Sequence, residues 1–413
     1  MKTRYFDFID FYSLFRWIWK NPTKEFERKF AQYLGVKYAL ATSYGRTALY
    51  LALKAIGITG CEVLLPSFIC TVVRQAVVQA EGTPRFVDIN FSDLSFNLVD
   101  LKAKINKKTR VILLTHYFGN VAPNFTEILQ IAQEHQLVLI EDCAHSWGAT
   151  FQQRKVGNFG DVAIFSLTKN SVNFGGGVLA TNNKQLYLSA KLILEGEKVT
   201  LKKRIVDFPI ILSYGAEQFV QRLLLDRVKF SQWKWKLVSF PIKIIKLRSI
   251  FLKPFIYFTS RKNLTAARSA NETQLNENDS YSMQKLNIEP LISSLALSQL
   301  RKIDQLNRKR RLIWENLDRC KFSHITTKNA NQISCSVGTN KVFSFNHKDI
   351  FYLMRKYQKR GISLKPTWPT HQSIWKEQNT DNLQRISHQI LTLNIHPDLT
   401  KREIDMIVET IDN

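Results

Sequence analysis

Two side chains with complementary chemistry each stand at the end of an apolar run within residues 137–180. The first run, LVLIED, ends in Asp142, and the second, VAIFSLTK, ends in Lys169 shortly before a Gly-Gly-Gly turn. A lysine amine can hold an aldehyde cofactor as a Schiff base and then shuttle protons at the same carbon. A carboxylate beside a pyridine nitrogen keeps that ring protonated as an electron sink. Taken singly, Asp142 could be a helix N-cap and Lys169 an ordinary surface lysine. Together, the two side chains predict one cofactor site.

A third group of residues could bind a phosphate. The stretch KYALATSYGRTALYLALKAIG predicts a short strand, a turn and a helix that begins near Gly45. Backbone N–H groups at a helix N-terminus attract anions, although a plain N-cap would give the same pattern. Gly45, Arg46, Thr47 and Ser166 could therefore surround a phosphate. Pyridoxal phosphate needs a lysine, a ring acid and a phosphate cradle, and it is the cofactor that this combination favours.

The charge of the chain is unusual, whereas its apolar content is ordinary. The 413 residues carry a net charge of +25, and 45% of them are hydrophobic. Residues 198–262 hold 15 lysines and arginines against three acidic residues. A basic balance of this kind fits nucleic acid, an anionic membrane surface or phosphorylated substrates, and it also fits a surface that is basic only for solubility.

The five cysteines form no CxxC pair, which is typical of reduced cytosolic cysteine and predicts neither a disulfide framework nor a zinc site. We find no signal peptide, and no uncharged apolar run reaches about 18 residues, so we predict no transmembrane helix. We expect a cytoplasmic protein and no metal.

Alternating apolar runs and helical patterns organise residues 22–197 into a large domain. Such alternation predicts an α/β fold with a mostly parallel sheet and with ligand groups at the carboxyl ends of its strands. Asp88, His116 and Asp142 all stand at such ends. Residues 1–21 predict an amphipathic helix for which docking on the body is favoured over docking on a partner or on a lipid surface. Residues 280–413 predict a smaller α+β domain, which begins with one long helix and ends with a helix capped by Thr400.

Residues 198–279 form a basic, aromatic insert followed by a polar linker. An interfacial helix attracted to anionic lipid fits the insert, and a helical subdomain with solvated lysines fits nearly as well. Nucleic-acid binding comes third, because no recognisable nucleic-acid motif accompanies the charge. We therefore expect no nucleic-acid partner and consider peripheral contact with the inner face of the membrane through residues 198–262.

The chain resembles the DegT/DnrJ/StrS sugar aminotransferases, which are fold-type-I pyridoxal-phosphate enzymes of the aspartate aminotransferase-like class. The resemblance runs from about Pro22 to Ile411, except for the basic insert. Six segments carry it, in the order GRTALYLALKAIGI, EVLLPSFICTVVRQAVVQAEGTPRFVDIN, THYFGN, LVLIEDCAHSWGATFQQRKVGNFGDVAIFS, TKNSVNFGGG and RISHQILTLNIHPDLTKREIDMIVETI.

By this resemblance, Lys169 forms the Schiff base and is the catalytic acid and base, and Asp142 pairs with the pyridine nitrogen. His145 takes the position of a cofactor-contacting Gln or His. The resemblance also implies that the phosphate is surrounded by Gly45, Arg46, Thr47 and Ser166. Further residues are expected on the substrate side, and they are His116, Tyr281, Trp368 and His371. A homodimer that shares its active sites is implied as well.

Departures from the family pattern fall mostly on the substrate side. The aromatic that stacks on the cofactor ring aligns with Cys70, so Phe68 becomes the candidate for stacking. The turn FSLTKN is two residues shorter than the family's, Gly175 replaces a Glu, and a basic group is lost in the stretch 280–283. These changes leave the cofactor side mostly intact and the identity of the substrate open.

Our first hypothesis is a pyridoxal-phosphate aminotransferase that moves an amino group from an amino acid such as glutamate to a keto sugar. A nucleotide-linked sugar in surface polysaccharide or glycan biosynthesis is the expected acceptor. The family's dehydratase branch lacks the lysine at position 169, so the lysine favours amine transfer. One alternative is a membrane-associated enzyme acting on a lipid-linked substrate, and another is a non-catalytic protein on the same fold.

Overall fold

The computed structural model describes residues 6–17, 19–173, 175–196, 287–318, 320, 334–335, 337–345, 350–366 and 389–412. The helices in these ranges are α1 (Phe8–Arg16), α2 (Thr23–Leu34), α3 (Gly45–Ile56), α4 (Thr71–Gln79), α5 (Leu98–Lys104), α6 (Phe125–Glu134), α7 (Leu167–Asn170), α8 (Lys184–Gly196), α9 (Pro290–Leu300), α10 (Ile303–Leu317), α11 (Ile350–Lys359) and α12 (Lys401–Asp412). A 3₁₀ turn spans Tyr117–Gly119. The strands are β1 (Tyr38–Thr42), β2 (Glu62–Pro66), β3 (Thr83–Val87), β4 (Thr109–Thr115), β5 (Val138–Asp142), β6 (Thr150–Phe151), β7 (Arg154–Lys155), β8 (Val162–Ser166), β9 (Gly177–Thr181), β10 (Ser334–Cys335), β11 (Asn340–Ser344), β12 (Lys365–Pro366) and β13 (Ile390–Asn394).

A seven-stranded sheet with the order β1-β9-β8-β5-β4-β2-β3 is the centre of the large domain. Strands β3, β2, β4, β5 and β8 pair in parallel, whereas β9 pairs antiparallel with both β8 and β1. The predicted mostly parallel α/β architecture is therefore confirmed. Parallel strands put their carboxyl ends at one edge of the sheet, and β5 and β8 are neighbours there. The sheet thus brings the ends of the two apolar runs, Asp142 and Ser166, side by side.

Both faces of the sheet are covered, because apolar side chains alternate along buried strands. In β4, Val111 and Leu113 pack into one hydrophobic cluster, and Ile112 and Leu114 pack into the cluster on the opposite face. This is the period-2 pattern of a strand that is buried on both sides. Each such cluster fixes the strand ends, and it therefore fixes the groups that those ends carry.

A second, antiparallel sheet with the order β11-β13-β12 lies in the C-terminal part of the chain. Helices α10, α11 and α12 pack with it in a separate hydrophobic cluster. The predicted cap at Thr400 is confirmed, since its Oγ accepts the Glu403 N–H at 3.3 Å and Glu403 accepts the Thr400 N–H at 2.8 Å. The central strand β13 was not predicted, because a short apolar run such as ILTLN does not by itself distinguish a strand from a buried helix segment.

The predicted long helix after residue 285 is wrong, because the chain forms α9 and α10 with a break at Lys302. The backbone of Lys302 leaves the helical region at φ −125° and ψ 1°. This break accompanies an inward-facing Lys302 side chain, which is 2% exposed and pairs with Asp10 of α1.

Helix α1 docks on the body of the protein through its polar side. Asp10 is fully buried, and its carboxylate accepts hydrogen bonds from Ser298 at 2.6 Å and from Gln299 at 2.9 Å. By contrast, Phe8 is 79% exposed and Phe11 is 50% exposed. The expected docking on the body therefore occurs, with Asp10 buried in the contact while the aromatic side chains of Phe8 and Phe11 are exposed. In the described part of the chain, no helix has both the length and the apolar character that a membrane crossing requires.

Candidate functional site

Asp142 ends strand β5 and is almost completely buried. Its side chain is 5% exposed, and Oδ1 accepts the Ala144 N–H at 3.0 Å. Burial raises the pKa of Asp142 to about 6, because an apolar environment disfavours the carboxylate. The Ala144 N–H and the positive charge of Lys169 offset only part of this effect. Asp142 is thus a carboxyl group whose charge the protein stabilises incompletely.

Lys169 lies on the four-residue helix α7, which follows β8 directly, and its side chain is exposed. The pKa of Asp142 and that of Cys70 are both raised by burial, and the positive charge of Lys169 opposes this rise at both groups. Burial is the larger effect on the Cys70 thiol and raises its pKa, with Arg46 opposing it and Asp142 adding to it. The structure therefore brings Asp142, Lys169, Arg46 and Cys70 within electrostatic range of one another, although the turn is two residues shorter than the family's.

The N-terminus of helix α3 lies against the end of strand β8. A Cβ added at Gly45 would lie 3.2 Å from the carbonyl oxygen of Phe165 and 3.2 Å from the Cβ of Ser166. On the other side, a Cβ at Gly177 would come within 2.3 Å of the Tyr44 backbone. Glycine at both positions lets the helix start approach the strands this closely. The predicted phosphate residues are thereby gathered at one helix start.

Side chains around this helix start are organised among themselves. Thr47 is 2% exposed, and its hydroxyl lies 3.0 Å from that of Ser43. The guanidinium of Arg46 stacks over the ring of Tyr44, 4.5 Å from its centroid. Tyr44 is the N-cap residue and provides no side-chain cap. In the first turn of α3, the Thr47 N–H donates a hydrogen bond to the Tyr44 carbonyl at 3.1 Å.

His116 is not where we expected a substrate-side residue. Its ring is fully buried, with Nε2 3.3 Å from Glu141 Oε2 and Nδ1 accepting the Ala122 N–H at 3.1 Å. Glu141 also accepts the N–H groups of Gly157, Phe159 and Gly160 at 2.7 to 2.8 Å. The ring has both nitrogens engaged and no exposed surface, so this structure gives no support for the expected substrate role of His116.

His116, Glu141 and Cys143 place their potential ligand atoms within 4.8 Å of one another. Both Glu141 oxygens, however, already accept backbone hydrogen bonds, and both His116 nitrogens are engaged. The cluster is therefore a hydrogen-bonded core network that holds the loop after β7 to strand β5. Its arrangement gives no support for a metal site among the described residues.

His145 and Phe68 lie in two neighbouring aromatic groups. The His145 ring stacks on Phe118, with centroids 5.8 Å apart and planes at 22°, and its Nδ1 accepts the Phe118 N–H at 3.4 Å. Phe68 is 3% exposed and packs against Tyr117, whose hydroxyl donates to the Phe68 carbonyl. Phe68 is thus mostly covered by protein, and its role in stacking on the cofactor ring stays a prediction.

Tyr117 and Arg310 are two site neighbours that the sequence did not identify. The charge of Asp142 adds to the burial that raises the pKa of Tyr117. Arg310 lies on α10 and donates to the backbone carbonyl of Asn170, the residue after Lys169, at 2.7 Å. The motif THYFGN could have indicated Tyr117, but no local pattern links Arg310 to a turn 140 residues earlier. The expected substrate residues Tyr281, Trp368 and His371 and the insert 198–279 lie outside the described residues.

Solved structures with this architecture are numerous. The aminotransferase from Psychrobacter cryohalolentis superposes with a TM-score of 0.70 over 98% of this chain and 96% of that one, at 19% sequence identity. At this identity the likeness establishes the fold alone. It agrees with the fold-type-I class that the sequence motifs predicted.

Sequence relatives are closer but shorter in extent. GDP-perosamine synthase of Vibrio cholerae is 38% identical over 181 residues, which are 43% of this chain and 49% of that protein. The spore coat polysaccharide biosynthesis protein SpsC of Bacillus subtilis is 36% identical over 174 residues, 41% of this chain and 44% of that protein. The chain therefore spans about half the length of the curated relatives it matches.

A family model covers much more of the chain. It describes the DegT/DnrJ/EryC1/StrS aminotransferase family and matches residues 16–205 and 262–412. The unmatched interval, 206–261, falls within the basic insert that the sequence singled out. Since the match includes both the segment with Asp142 and Lys169 and the C-terminal part, the chain belongs to the DegT/DnrJ/EryC1/StrS aminotransferase family.

Proposed function

We propose that this chain is a pyridoxal-phosphate aminotransferase that transfers an amino group from an amino acid, glutamate being the expected donor, to a keto sugar. The observation that supports the proposal is that Asp142 ends β5, that Lys169 follows the adjacent parallel strand β8 on α7, and that the charge of Lys169 lowers the pKa of Asp142. An exposed lysine beside a buried, incompletely stabilised carboxyl group is the pair that this cofactor requires.

The described residues fit the cofactor at each of its three ends. Asp142 lies in surroundings that raise its pKa, so a cationic ring nitrogen beside it would relieve the cost of its burial. The α3 N-terminus, with the glycines that let it approach β8, supports a phosphate there, because helix N-termini attract anions. Lys169, whose charge acts on Asp142, is the amine that would hold the aldehyde carbon.

Bound pyridoxal phosphate supplies an electron-withdrawing ring that stabilises the negative charge left when a proton leaves the substrate carbon. The protein's own groups then have separate tasks. Lys169 would move the proton at that carbon, Asp142 would keep the ring nitrogen protonated, and Arg46, Thr47 and Ser166 would orient the phosphate. His145 is proposed to contact the cofactor, since it lies at the family position for such a residue.

The acceptor is proposed to be a nucleotide-linked keto sugar used in surface polysaccharide or glycan biosynthesis. The names of the relatives support this substrate class, since one is a GDP-perosamine synthase and another a spore coat polysaccharide biosynthesis protein. We further propose a cytoplasmic homodimer. Contact between residues 198–262 and a membrane stays a prediction, because that segment lies outside the described residues.

The direct test uses the full-length protein with added pyridoxal phosphate. We expect a visible absorbance band that borohydride reduction fixes as a covalent adduct on Lys169, located by peptide mass spectrometry. Lys155→Ala, which removes another lysine of the large domain, should keep the adduct, and Lys169→Ala should abolish it. A wild-type protein that acquires neither band nor adduct would contradict the proposal and favour a non-catalytic role.

The amine transfer is tested by isotope labelling. Incubation of the loaded protein with ¹⁵N-glutamate and a set of nucleotide-linked keto sugars should give an ¹⁵N-amino sugar with one of them. Release of ¹⁵N-ammonium without a labelled sugar would contradict the transferase assignment while leaving the cofactor assignment intact.

A further inference from the structure

The back of the turn that carries Lys169 is buried, although Lys169 itself is exposed. Asn170, Ser171 and Val172 are fully buried, and Asn173 is 1% exposed. Helix α7 is only four residues long. Four residues cannot form a stable helix alone, because the conformational entropy lost in the first turn exceeds the stabilisation by its hydrogen bond. The position of Lys169 must therefore be set by contacts on the buried side of the turn.

Two of these contacts come from the helices that lead into the C-terminal domain. Arg310 of α10 is 2% exposed, and its Nη2 donates to the Asn170 carbonyl at 2.7 Å. Gln299 of α9 accepts the Val172 N–H on its Oε1 at 3.3 Å. The same Gln299 donates from Nε2 to Asp10 of α1 at 2.9 Å, so the N-terminal helix supports this anchor.

Arg310 is the stronger of the two anchors, because its guanidinium makes two directed hydrogen bonds in one plane. Nη1 donates to Asn307 Oδ1 at 2.8 Å, while Nη2 reaches Asn170. Asn307 is itself fixed, since its Nδ2 donates to the Trp147 carbonyl at 2.9 Å. A lysine in place of Arg310 would keep the charge but could not span both acceptors in this fixed geometry.

We propose that Arg310 is a positioning residue for Lys169: by holding the Asn170 carbonyl to α10, it aims the amine at the cofactor's aldehyde carbon. This inference rests on the proposed function and assigns a new residue to that same site. It also accounts for how a turn two residues shorter than the family's can still deliver its lysine, since the anchor lies directly after Lys169.

The test compares Arg310→Lys and Arg310→Met with Lys341→Met in the full-length protein. Lys341 is a matched control, because it is also a buried cation of the C-terminal part, 3% exposed in its side chain, and pairs with Asp318 and Trp314. The first readout needs no cofactor: amide hydrogen exchange of the peptide covering residues 167–173. We expect exchange there to rise in both Arg310 variants and to stay at the wild-type rate in Lys341→Met.

The second readout is the rate at which added pyridoxal phosphate forms its imine band, together with the pH midpoint of that band. We expect Arg310→Met to slow band formation about 10- to 100-fold, as a misplacement of about 1 Å would. Arg310→Lys should fall between Arg310→Met and the wild type. Circular dichroism identifies folded variants, and the conservative Arg310→Lys keeps the test decisive if Arg310→Met does not fold.

The proposal would be overturned if amide exchange in the turn became faster while the rate of imine-band formation and the pH midpoint of that band stayed unchanged. Arg310 would then have a structural role only. Unchanged exchange in both Arg310 variants would overturn it as well. A wild-type protein that forms no imine would instead overturn the proposed function, and the two failures are therefore distinguishable.

Discussion

Two adjacent carboxylates at the end of β5 differ in what the protein provides for their charge. Glu141 and Asp142 are both buried, but they point to opposite faces of the sheet. Glu141 accepts three backbone N–H groups and faces His116. Burial raises the pKa of Glu141, yet these partners outweigh burial and leave the pKa below its ordinary value. The pKa of Asp142 is instead raised to about 6, since burial there outweighs the Ala144 N–H and the nearby cations.

The difference separates a structural charge from a functional one. A carboxylate whose oxygens all accept hydrogen bonds within the fold stabilises the fold and has no acceptor position available for a ligand. A carboxylate that the fold leaves incompletely stabilised lowers the stability of the empty protein and gains from a cationic ligand. We therefore interpret Glu141 as the support of strand β5 and Asp142 as the group that binds the ring of the cofactor.

The largest expected effect comes from removing the cation that faces Asp142. Lys169→Ala should lower amine transfer by about 10²- to 10⁴-fold, because it removes the proton-transferring group. The free energy of unfolding should change by less than about 0.5 kcal/mol, since the side chain is exposed. Steady-state kinetics and urea unfolding of one preparation check both halves. Substantial residual transfer would mean that another lysine serves the reaction.

The next largest effect should come from Glu141, the carboxylate whose oxygens accept backbone hydrogen bonds. Glu141→Gln replaces an acceptor-only group by one with an NH₂ that must face backbone N–H groups, so we expect a loss of about 3 to 5 kcal/mol of unfolding free energy. Glu127→Gln, on the exposed side of α6, is the control and should be nearly neutral. Because the pKa of Glu141 is lowered in the folded protein, its stabilisation is present above its ordinary value of 4.5 and is lost as the pH falls through the folded-state value.

Asp142→Asn should act in the opposite direction on the cofactor-free protein. The folded-state pKa of about 6 lies above the ordinary value of 3.8, so the cost of the charge is absent below the ordinary value and complete above about pH 6. Removing the charge should stabilise the protein by about 1 to 3 kcal/mol at pH 8. Urea unfolding at pH 4.5 and pH 8 measures this, and the gain should shrink at the lower pH. A loss of stability at pH 8 would break the comparison.

Gly177→Ala should change stability by an amount similar to Asp142→Asn, in the opposite direction, and it tests the phosphate side of the site. The added Cβ would meet the Tyr44 backbone at 2.3 Å and push the α3 N-terminus away from β8. We expect about 1 to 3 kcal/mol of destabilisation from overpacking and weaker binding of pyridoxal phosphate in a fluorescence titration. Gly196→Ala is the control, since a Cβ there meets nothing within 4 Å. Unchanged affinity in Gly177→Ala would place the phosphate elsewhere.

Local patterns predicted those parts of the molecule that local patterns determine. The alternation of apolar runs and helices predicted the sheet. The strand pattern also predicted that the strands ending near Asp142 and Lys169 share one edge of the sheet, and β5 and β8 pair in parallel. In these cases the deciding residues are close in sequence or belong to neighbouring strands.

Long-range pairing decided the parts that were not predicted. His116 ends its strand just as Asp142 does, but its ring is turned into the core by Glu141, which belongs to the next strand. The polar docking of α1 depends on Ser298 and Gln299, almost 290 residues away. Neither outcome follows from periodicity, because a buried hydrogen bond to a distant partner can outweigh the exposure of several aromatic side chains.

One measurement tests the division between the two carboxylates most directly: the stabilisation that pyridoxal phosphate gives to the wild type, Asp142→Asn and Glu141→Gln. All three proteins are compared at one concentration of pyridoxal phosphate, a hundredfold above its dissociation constant from the wild type, where the ligand stabilises the wild-type fold by about 2.7 kcal/mol. We predict this gain for the wild type and for folded Glu141→Gln, and a much smaller gain for Asp142→Asn, which starts from the higher stability. An equal gain in Asp142→Asn and a lost gain in Glu141→Gln would contradict the assignment of Asp142 to the cofactor.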